Sequence, residues 1–158
     1  MLSQCETLIQ QTEGRYATDA ELDIFLSYTA SYPKRLALYQ KLQTIEQKLV
    51  NTVHERLMTH HPHLLKSKKR NISAKWKRDT LRTLRLSAIA ILLDDPTTLQ
   101  ERYLLWFQTV MGAFHAQKSC DLTYSIMQEV VESLLESDES SLLIPILELN
   151  RTALGMNN

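Results

Sequence analysis

Residues 73–96, SAKWKRDTLRTLRLSAIAILLDDP, have the apolar spacing of one long α-helix. Apolar side chains recur every three or four residues, and the sequence Asp94-Asp95-Pro96 closes the pattern. The spacing predicts a helix from about Ser73 to Leu93. Its core-facing side is expected to consist of Leu81, Leu84, Ala88, Ile91 and Leu92. A face this broad needs other helices to cover it, so the stretch favours an all-α fold.

Composition extends this interpretation to the rest of the chain. Only 3 Gly and 4 Pro interrupt 158 residues, and 44% of the residues are hydrophobic, which predicts long helices around the core of one domain. A first helix is expected from about Leu2 to Glu13, with Gly14 ending it. Thr18 or Asp19 is expected to cap the second helix.

Pro33 is expected to interrupt that second helix after Tyr32, because proline removes a helical hydrogen bond and clashes with the preceding turn. The next helix should stop near His60-His61-Pro62, before an exposed basic loop at residues 66–71. Thr97 or Thr98 is expected to cap another helix. The last two helices are predicted from about Cys120 to Glu136 and from about Glu139 to Leu154.

Charge and cysteine content exclude several functional classes. The chain has 18 basic and 18 acidic residues, so its formal charge of zero creates no long-range attraction to nucleic acid. Cys5 and Cys120 are too few and too far apart for a disulfide framework or a zinc knuckle. No apolar run reaches the ~18 residues that a membrane span needs. These features predict a cytoplasmic protein that does not insert into membranes.

Four motifs in order resemble the phycobiliprotein family of the phycobilisome, in particular allophycocyanin. Within residues 13–23 an Arg15-Tyr16 pair precedes a capped acidic helix start. Lys75-Trp76-Lys77-Arg78-Asp79 stands where that family has Lys-Cys-x-Arg-Asp, Leu84-Arg85 matches its Leu-Arg pair, and residues 93–97 resemble its Gly-Asp turn. The resemblance implies a globin-like fold of six helices with two N-terminal helices extending from it. Those two helices, residues 1–32 of a single domain spanning 1–158, are implied to pair subunits.

Three departures from the family pattern change what the resemblance implies. Trp76 occupies the position of the cysteine that holds the bilin, and an indole cannot form a thioether. Arg82 and Thr83 replace two aromatic residues of the family's chromophore wall. Gln11 replaces an aspartate that helps to pair subunits. We therefore expect no covalent cofactor and a role other than light harvesting.

The predicted helix at 73–93 still has the side chains that a linear tetrapyrrole needs. Lys75, Arg78, Arg82 and Arg85 fall within about 80° of one another on a helical wheel, next to a second stripe of Trp76, Asp79 and Thr83. The family uses its Asp for the pyrrole nitrogens and its Arg and Lys for propionates, chemistry that Asp79, Arg78 and Lys75 retain. We therefore name a candidate site for non-covalent phycocyanobilin or biliverdin. Its candidate residues are Lys75, Trp76, Arg78, Asp79, Arg82 and Thr83. In the alternative, Trp76 fills the pocket and the charged stripe is solvated.

The N-terminal helices carry apolar residues that a monomer would leave exposed. They are expected to pair with phycobilisome subunits or with a second copy of the chain, as a heterodimer or homodimer. The candidate pairing residues are Leu8, Gln11, Arg15, Tyr16, Leu22, Phe25 and Arg85.

No catalytic arrangement is apparent in the sequence. It lacks a Ser-His-Asp order, a paired-carboxylate spacing and a Gly-rich phosphate loop, so we expect no enzyme. His60, His61 and His63 have no neighbouring Cys or carboxylate to complete a metal site. Two hypotheses remain. The first is an interaction protein that acts in phycobilisome assembly, turnover or regulation, at the thylakoid surface or elsewhere in the cytoplasm. The second is a non-covalent bilin carrier or sensor.

Overall fold

The computed structural model describes residues 1–65 and 72–155, and most of these residues are helical. They are α1 (Leu2–Gln11), α2 (Asp19–His60), α3 (Ile72–Leu93), α4 (Pro96–Leu99), α5 (Leu105–Ala113), α6 (Gln117–Leu134) and α7 (Ser137–Gly155). A 3₁₀ turn, Pro62–Leu64, follows α2, and a π-helical turn, Gln100–Leu104, joins α4 to α5. These residues contain no strand, which confirms the all-α class. The predicted loop at residues 66–71 lies outside the described residues.

The core lies between the second half of α2 and the four longer helices that follow it. Helix α6 packs against both α7 and α2, and α2 also packs against α3. The fully buried side chains are mainly aliphatic and include Leu49, Leu57, Leu84, Met127 and Leu147. This arrangement around one apolar core is the predicted globin-like body.

Pro33 does not interrupt α2, and that prediction was wrong. The helix continues from Asp19 to His60 through Pro33. A proline at this position leaves the Thr29 carbonyl without its usual helical donor. Thr29 and Pro33 both lie on an exposed part of the helix, where water can solvate that carbonyl. The second N-terminal helix and the first helix of the body are therefore one rod of 42 residues, about 63 Å long.

The start of α2 is stabilised by a reciprocal capping box, as the sequence predicted for Thr18. The Thr18 hydroxyl accepts a hydrogen bond from the Glu21 N–H, and the Glu21 carboxylate accepts one from the Thr18 N–H. Arg15 donates to both Glu21 oxygens at 2.9 and 2.7 Å. These Arg15 bonds, with those from Thr18, lower the pKa of Glu21 to about 2. Gly14, with a φ of +81°, makes the turn between α1 and α2.

Asp95, rather than the predicted Thr97 or Thr98, caps the helix that follows α3. Its carboxylate accepts a hydrogen bond from the Thr98 N–H at 3.1 Å and two more from the N–H and hydroxyl of Ser3, each at 2.8 Å. Burial alone would raise the pKa of Asp95, but these hydrogen bonds hold it below its usual value. The side chain therefore fastens α1 to the body as well as capping α4.

Arg35 connects α2 to the end of α3. It is buried, its Nε donates to the Leu92 carbonyl at 3.2 Å, and its Nη2 donates to the Tyr28 carbonyl at 3.0 Å. Its guanidinium also lies 4.3 Å from the centre of the Tyr28 ring. This side chain fixes α2 at the point where the helix leaves the body.

Replacement of Asp95 by Ala should lower the free energy of unfolding by about 2–3 kcal/mol at neutral pH, because a helix cap and the bonds to Ser3 are lost. The folded pKa of Asp95 lies below its usual 3.8. The difference in unfolding free energy between wild type and Asp95→Ala should therefore be largest above pH 3.8 and shrink as the pH falls through the lowered pKa. Urea unfolding across that range measures it. The matched control, Asp23→Ala, removes an exposed carboxylate and should change stability by less than about 0.5 kcal/mol. Equal effects of the two substitutions would show that Asp95 does not hold α1.

Candidate functional site

A cleft of about 400 Å³ lies among α3, α5 and α6, beside the 3₁₀ turn. Its apolar wall includes Leu64, Ile72, Phe107, Met111 and Tyr124. Three of the six predicted ligand residues, Lys75, Trp76 and Asp79, also line it. A volume of this size is within the range of small-molecule sites.

Trp76 is held in the cleft wall by two contacts. Its Nε1–H donates to the Thr123 hydroxyl at 3.0 Å, which joins α3 to α6. Its ring packs on His54 of α2, with 5.5 Å between ring centres. Burial, and to a smaller extent the charge of Lys77, lower the pKa of His54, which favours a neutral imidazole beneath the indole. The indole is thus an anchored part of the wall.

Asp79 is a carboxylate in the cleft with few partners of its own. Its nearest cation is Arg78, with 3.6 Å between Nε and Oδ1, and within residues 1–65 and 72–155 the carboxylate accepts no hydrogen bond. Arg78 itself is 75% exposed and does not line the cleft. The oxygens of Asp79 are therefore available to a ligand that donates hydrogen bonds.

Exposed basic side chains lie along the rim of the cleft. Lys75 and Lys118 line it from α3 and α6, and His115 lines it from the turn between α5 and α6. The Lys75 ammonium lies 4.2 Å from the centre of the Phe114 ring, which is also exposed. The cleft therefore combines an apolar interior with a basic rim, a combination that suits an apolar ligand with acidic groups.

Arg82 and Thr83, which were also predicted as ligand residues, do not line the cleft. Thr83 is fully buried, and its hydroxyl bonds the Asp79 carbonyl at 3.0 Å and the Tyr103 hydroxyl at 2.8 Å. The Arg82 guanidinium lies 5.6 Å from the centre of the Tyr103 ring. The helical wheel placed both residues near Asp79, but the π-helical turn covers that side of α3.

Cys120 lines the cleft, which the sequence analysis did not predict. Burial, and then the charge of Asp79, raise the pKa of its thiol to about 12, so the thiolate is scarce at neutral pH. Cys5, the other free thiol, lies on α1 and does not line the cleft. The cleft therefore fits a non-covalent ligand better than one attached through sulfur. The three-to-four-residue spacing of Cys120, Thr123 and Tyr124 on α6 is the sequence pattern that could have predicted that Cys120 lines the cleft.

A second candidate surface runs along α2. Phe25, Tyr28, Tyr32, Tyr39 and Gln43 fall within about 60° of one another around the helix, and we call them the α2 stripe. The stripe begins on the first part of α2, residues 19–32, which we call the arm. The arm has no buried residue, because the first buried side chain of α2 is Arg35.

The stripe ends in a groove between α2 and α3. The groove has a volume of about 420 Å³, and its wall includes Tyr39, Leu42, Leu84, Ala88 and Ile89. Arg85, a predicted pairing residue, lies at this groove and donates to Glu46 at 2.8 Å. The hydrogen bond from Arg85 lowers the pKa of Glu46 and keeps it ionised. The positive charge of Arg85 is thus neutralised by Glu46 of the same chain.

The other predicted pairing residues have different surroundings. Tyr16 is 98% exposed, and Leu22 and Phe25 are exposed on the arm. Arg15 is occupied by Glu21, whereas Leu8 and Gln11 line a groove between α1 and α2. Eleven large apolar side chains are exposed in the described ranges, and seven belong to residues 1–32: Leu2, Ile9, Tyr16, Leu22, Phe25, Leu26 and Tyr32. An unpartnered apolar surface is therefore concentrated in the predicted pairing extension.

The histidine cluster forms no metal site in the part of the chain that the structure describes. The rings of His61 and His63 lie 6.2 Å apart, edge to face, and no group of three or more His, Cys, Asp or Glu side chains there is arranged to hold a metal ion.

Among the described residues, no helix has both the length and the apolar character needed to cross a membrane.

Comparison with known proteins identifies the family. No curated protein matches the sequence. A family model described as Phycobilisome protein matches residues 8–154, which include α2 through α6, all but the last residue of α7, the cleft and the groove. Because the match covers nearly the whole chain, this protein belongs to the phycobilisome protein family.

Proposed function

We propose that this protein acts through protein–protein contacts in phycobilisome assembly, turnover or regulation and does not harvest light. The partner is a phycobilisome subunit or a second copy of the chain, bound through the arm and the α2 stripe. It would work in the cytoplasm, where phycobilisomes sit on the thylakoid surface. No catalytic role is part of this proposal.

The observation that carries the proposal is the uncovered apolar surface of the N-terminal extension. The arm leaves the body as a straight continuation of α2, so it cannot fold back on its own core without breaking the helix. Apolar residues that project in this way are usually covered by another chain. A stable pairing should bury roughly 1,200 Å² or more in total.

The cleft supports a role other than light harvesting. Trp76 cannot form a thioether, and its hydrogen bond to Thr123 and its ring contact with His54 hold it in the wall. Cys120 has a strongly raised pKa and is a poor nucleophile near neutral pH. An antenna subunit depends on a covalently attached pigment, and neither Trp76 nor Cys120 is suited to hold a pigment covalently.

Leu22→Ser combined with Phe25→Ser should weaken pairing by on the order of tenfold or more, because two exposed anchor side chains are lost from the arm. The measurement is light scattering behind size exclusion, together with capture of allophycocyanin and phycocyanin subunits. Leu105→Ser, which truncates an exposed apolar side chain of α5, is the matched control and should pair like wild type. A wild-type chain that stays monomeric at tens of micromolar and captures no subunit would contradict the proposal.

A second candidate function, non-covalent bilin binding, is favoured by the cleft itself. The apolar wall and the basic rim of Lys75, His115 and Lys118 match a tetrapyrrole with acidic side chains. The oxygens of Asp79 also fit, since they accept no hydrogen bond within the described residues. Asp79 would accept hydrogen bonds from pyrrole nitrogens, and the rim cations would pair with propionates. Biliverdin and phycocyanobilin are the ligands of this class that we propose.

Asp79→Ala should lower the affinity for biliverdin by about tenfold or more, since the pyrrole donors would be left unpaired in the cleft. Arg78→Ala is the matched control from the neighbouring position, and it should have a smaller effect because Arg78 lies outside the cleft. Absorbance titration gives both affinities, and acidic urea should release all pigment from the chain. Equal affinities for wild type and both variants, or pigment that stays with the denatured chain, would count against this function.

A further inference from the structure

Cationic side chains of α3 lie against aromatic side chains of residues 103–114, at a surface that the proposed pairing does not use. The Lys75 ammonium lies over the Phe114 ring, and the Arg82 guanidinium lies over the Tyr103 ring. The Tyr103 ring in turn contacts Trp106, with 6.2 Å between ring centres. These contacts join α3 and residues 103–114 into one patch. We call Lys75, Arg78, Arg82, Trp106 and Phe114 the cation–aromatic surface.

The members of this surface are open to solvent. Trp106 is 55% exposed and Phe114 is 57% exposed. Within the described ranges Lys75 and Arg82 make no ion pair or hydrogen bond, and each cation lies over an aromatic ring. Arg78 has a single long contact to Asp79. Lys75 and Arg82 are two helical turns apart, about 10.5 Å, so the cations are evenly spread.

We propose that the cation–aromatic surface docks this protein on an anionic lipid bilayer as a peripheral contact. A bilayer offers both required environments side by side, since aromatic rings settle at the headgroup level and basic side chains meet anionic headgroups. An acidic protein surface would match the cations only and would leave Trp106 and Phe114 to find separate apolar partners. The formal charge of the whole chain is zero, so the attraction comes from this local excess of cations.

Vesicle flotation tests the proposal with the full-length chain. The protein should float with phosphatidylcholine vesicles that contain phosphatidylglycerol. With vesicles of phosphatidylcholine alone it should remain in the bottom fraction of the gradient. Added salt should reduce the bound fraction because it screens exposed charges. Arg82→Gln should lower the partition coefficient by about fivefold, the effect of one basic residue at an anionic surface. Vesicles should also shift the tryptophan emission to the blue, and Trp106→Phe should remove most of that shift.

Lys34→Gln is the matched control, because it removes one exposed cation from α2 and should leave flotation unchanged. Equal loss in Lys34→Gln and Arg82→Gln, or equal binding to both kinds of vesicle, would overturn the proposal. If vesicles do not bind and Arg82→Gln instead loses capture of phycobilisome subunits, the surface is a protein-docking site and the proposal is wrong. The Leu22→Ser/Phe25→Ser variant should still float, so failure of pairing and failure of lipid binding are separate outcomes.

Discussion

The continuity of α2 through Pro33 is the constraint on which the rest of the structure depends. One half of this helix supplies core side chains such as Leu49 and Leu57, and the other half is the arm. Because the two halves share one axis, packing of the core fixes the direction in which the arm projects. Arg35 strengthens this link by bonding the end of α3 at the point of exit. The arm is therefore presented to a partner without a hinge, which reduces the entropy lost on pairing.

The same rigidity separates the molecule into surfaces with different chemistry. The α2 stripe is mainly aromatic, and it ends at an ion pair within the chain, Arg85 with Glu46. The cation–aromatic surface has exposed rings beside Lys75 and Arg82, which make no ion pair within the described residues. Between these extremes, the cleft has an apolar wall and one available carboxylate, Asp79. The candidate sites for protein, lipid and pigment differ, but the cleft and the cation–aromatic surface share Lys75 and Phe114. Arg82 and Trp106 do not line the cleft, and Asp79 is not part of the cation–aromatic surface, so substitutions at these residues separate the two roles.

Much of the fold could be predicted because it depends on local sequence. The apolar spacing of α3 and the capping residues around Thr18 were sufficient to place helices close to their observed ends. The effect of Pro33 was predicted wrongly because the free-energy cost of a proline within a helix depends on whether water can reach the carbonyl that lost its donor. That accessibility is a tertiary property, which the local sequence does not show. The capping bond of Asp95 to Thr98 is local, whereas its bonds to Ser3, which is distant in sequence, could not be predicted from a local pattern. In the candidate site, Asp79 and Lys75 could be predicted from one helix face, whereas Cys120 and His115 come from elements whose packing no local pattern shows.

Hydrogen–deuterium exchange of the full chain tests the central claim, that the arm is an uncovered surface awaiting a partner, most directly. In dilute protein the amides of residues 19–32 should exchange far faster than those of residues 38–57, because only the latter half of α2 is buried in the core. At high protein concentration, or with a phycobilisome subunit, exchange in the arm should slow while the core half stays the same. Equal slow exchange in both halves of the dilute chain, unaffected by concentration or partner, would contradict the account.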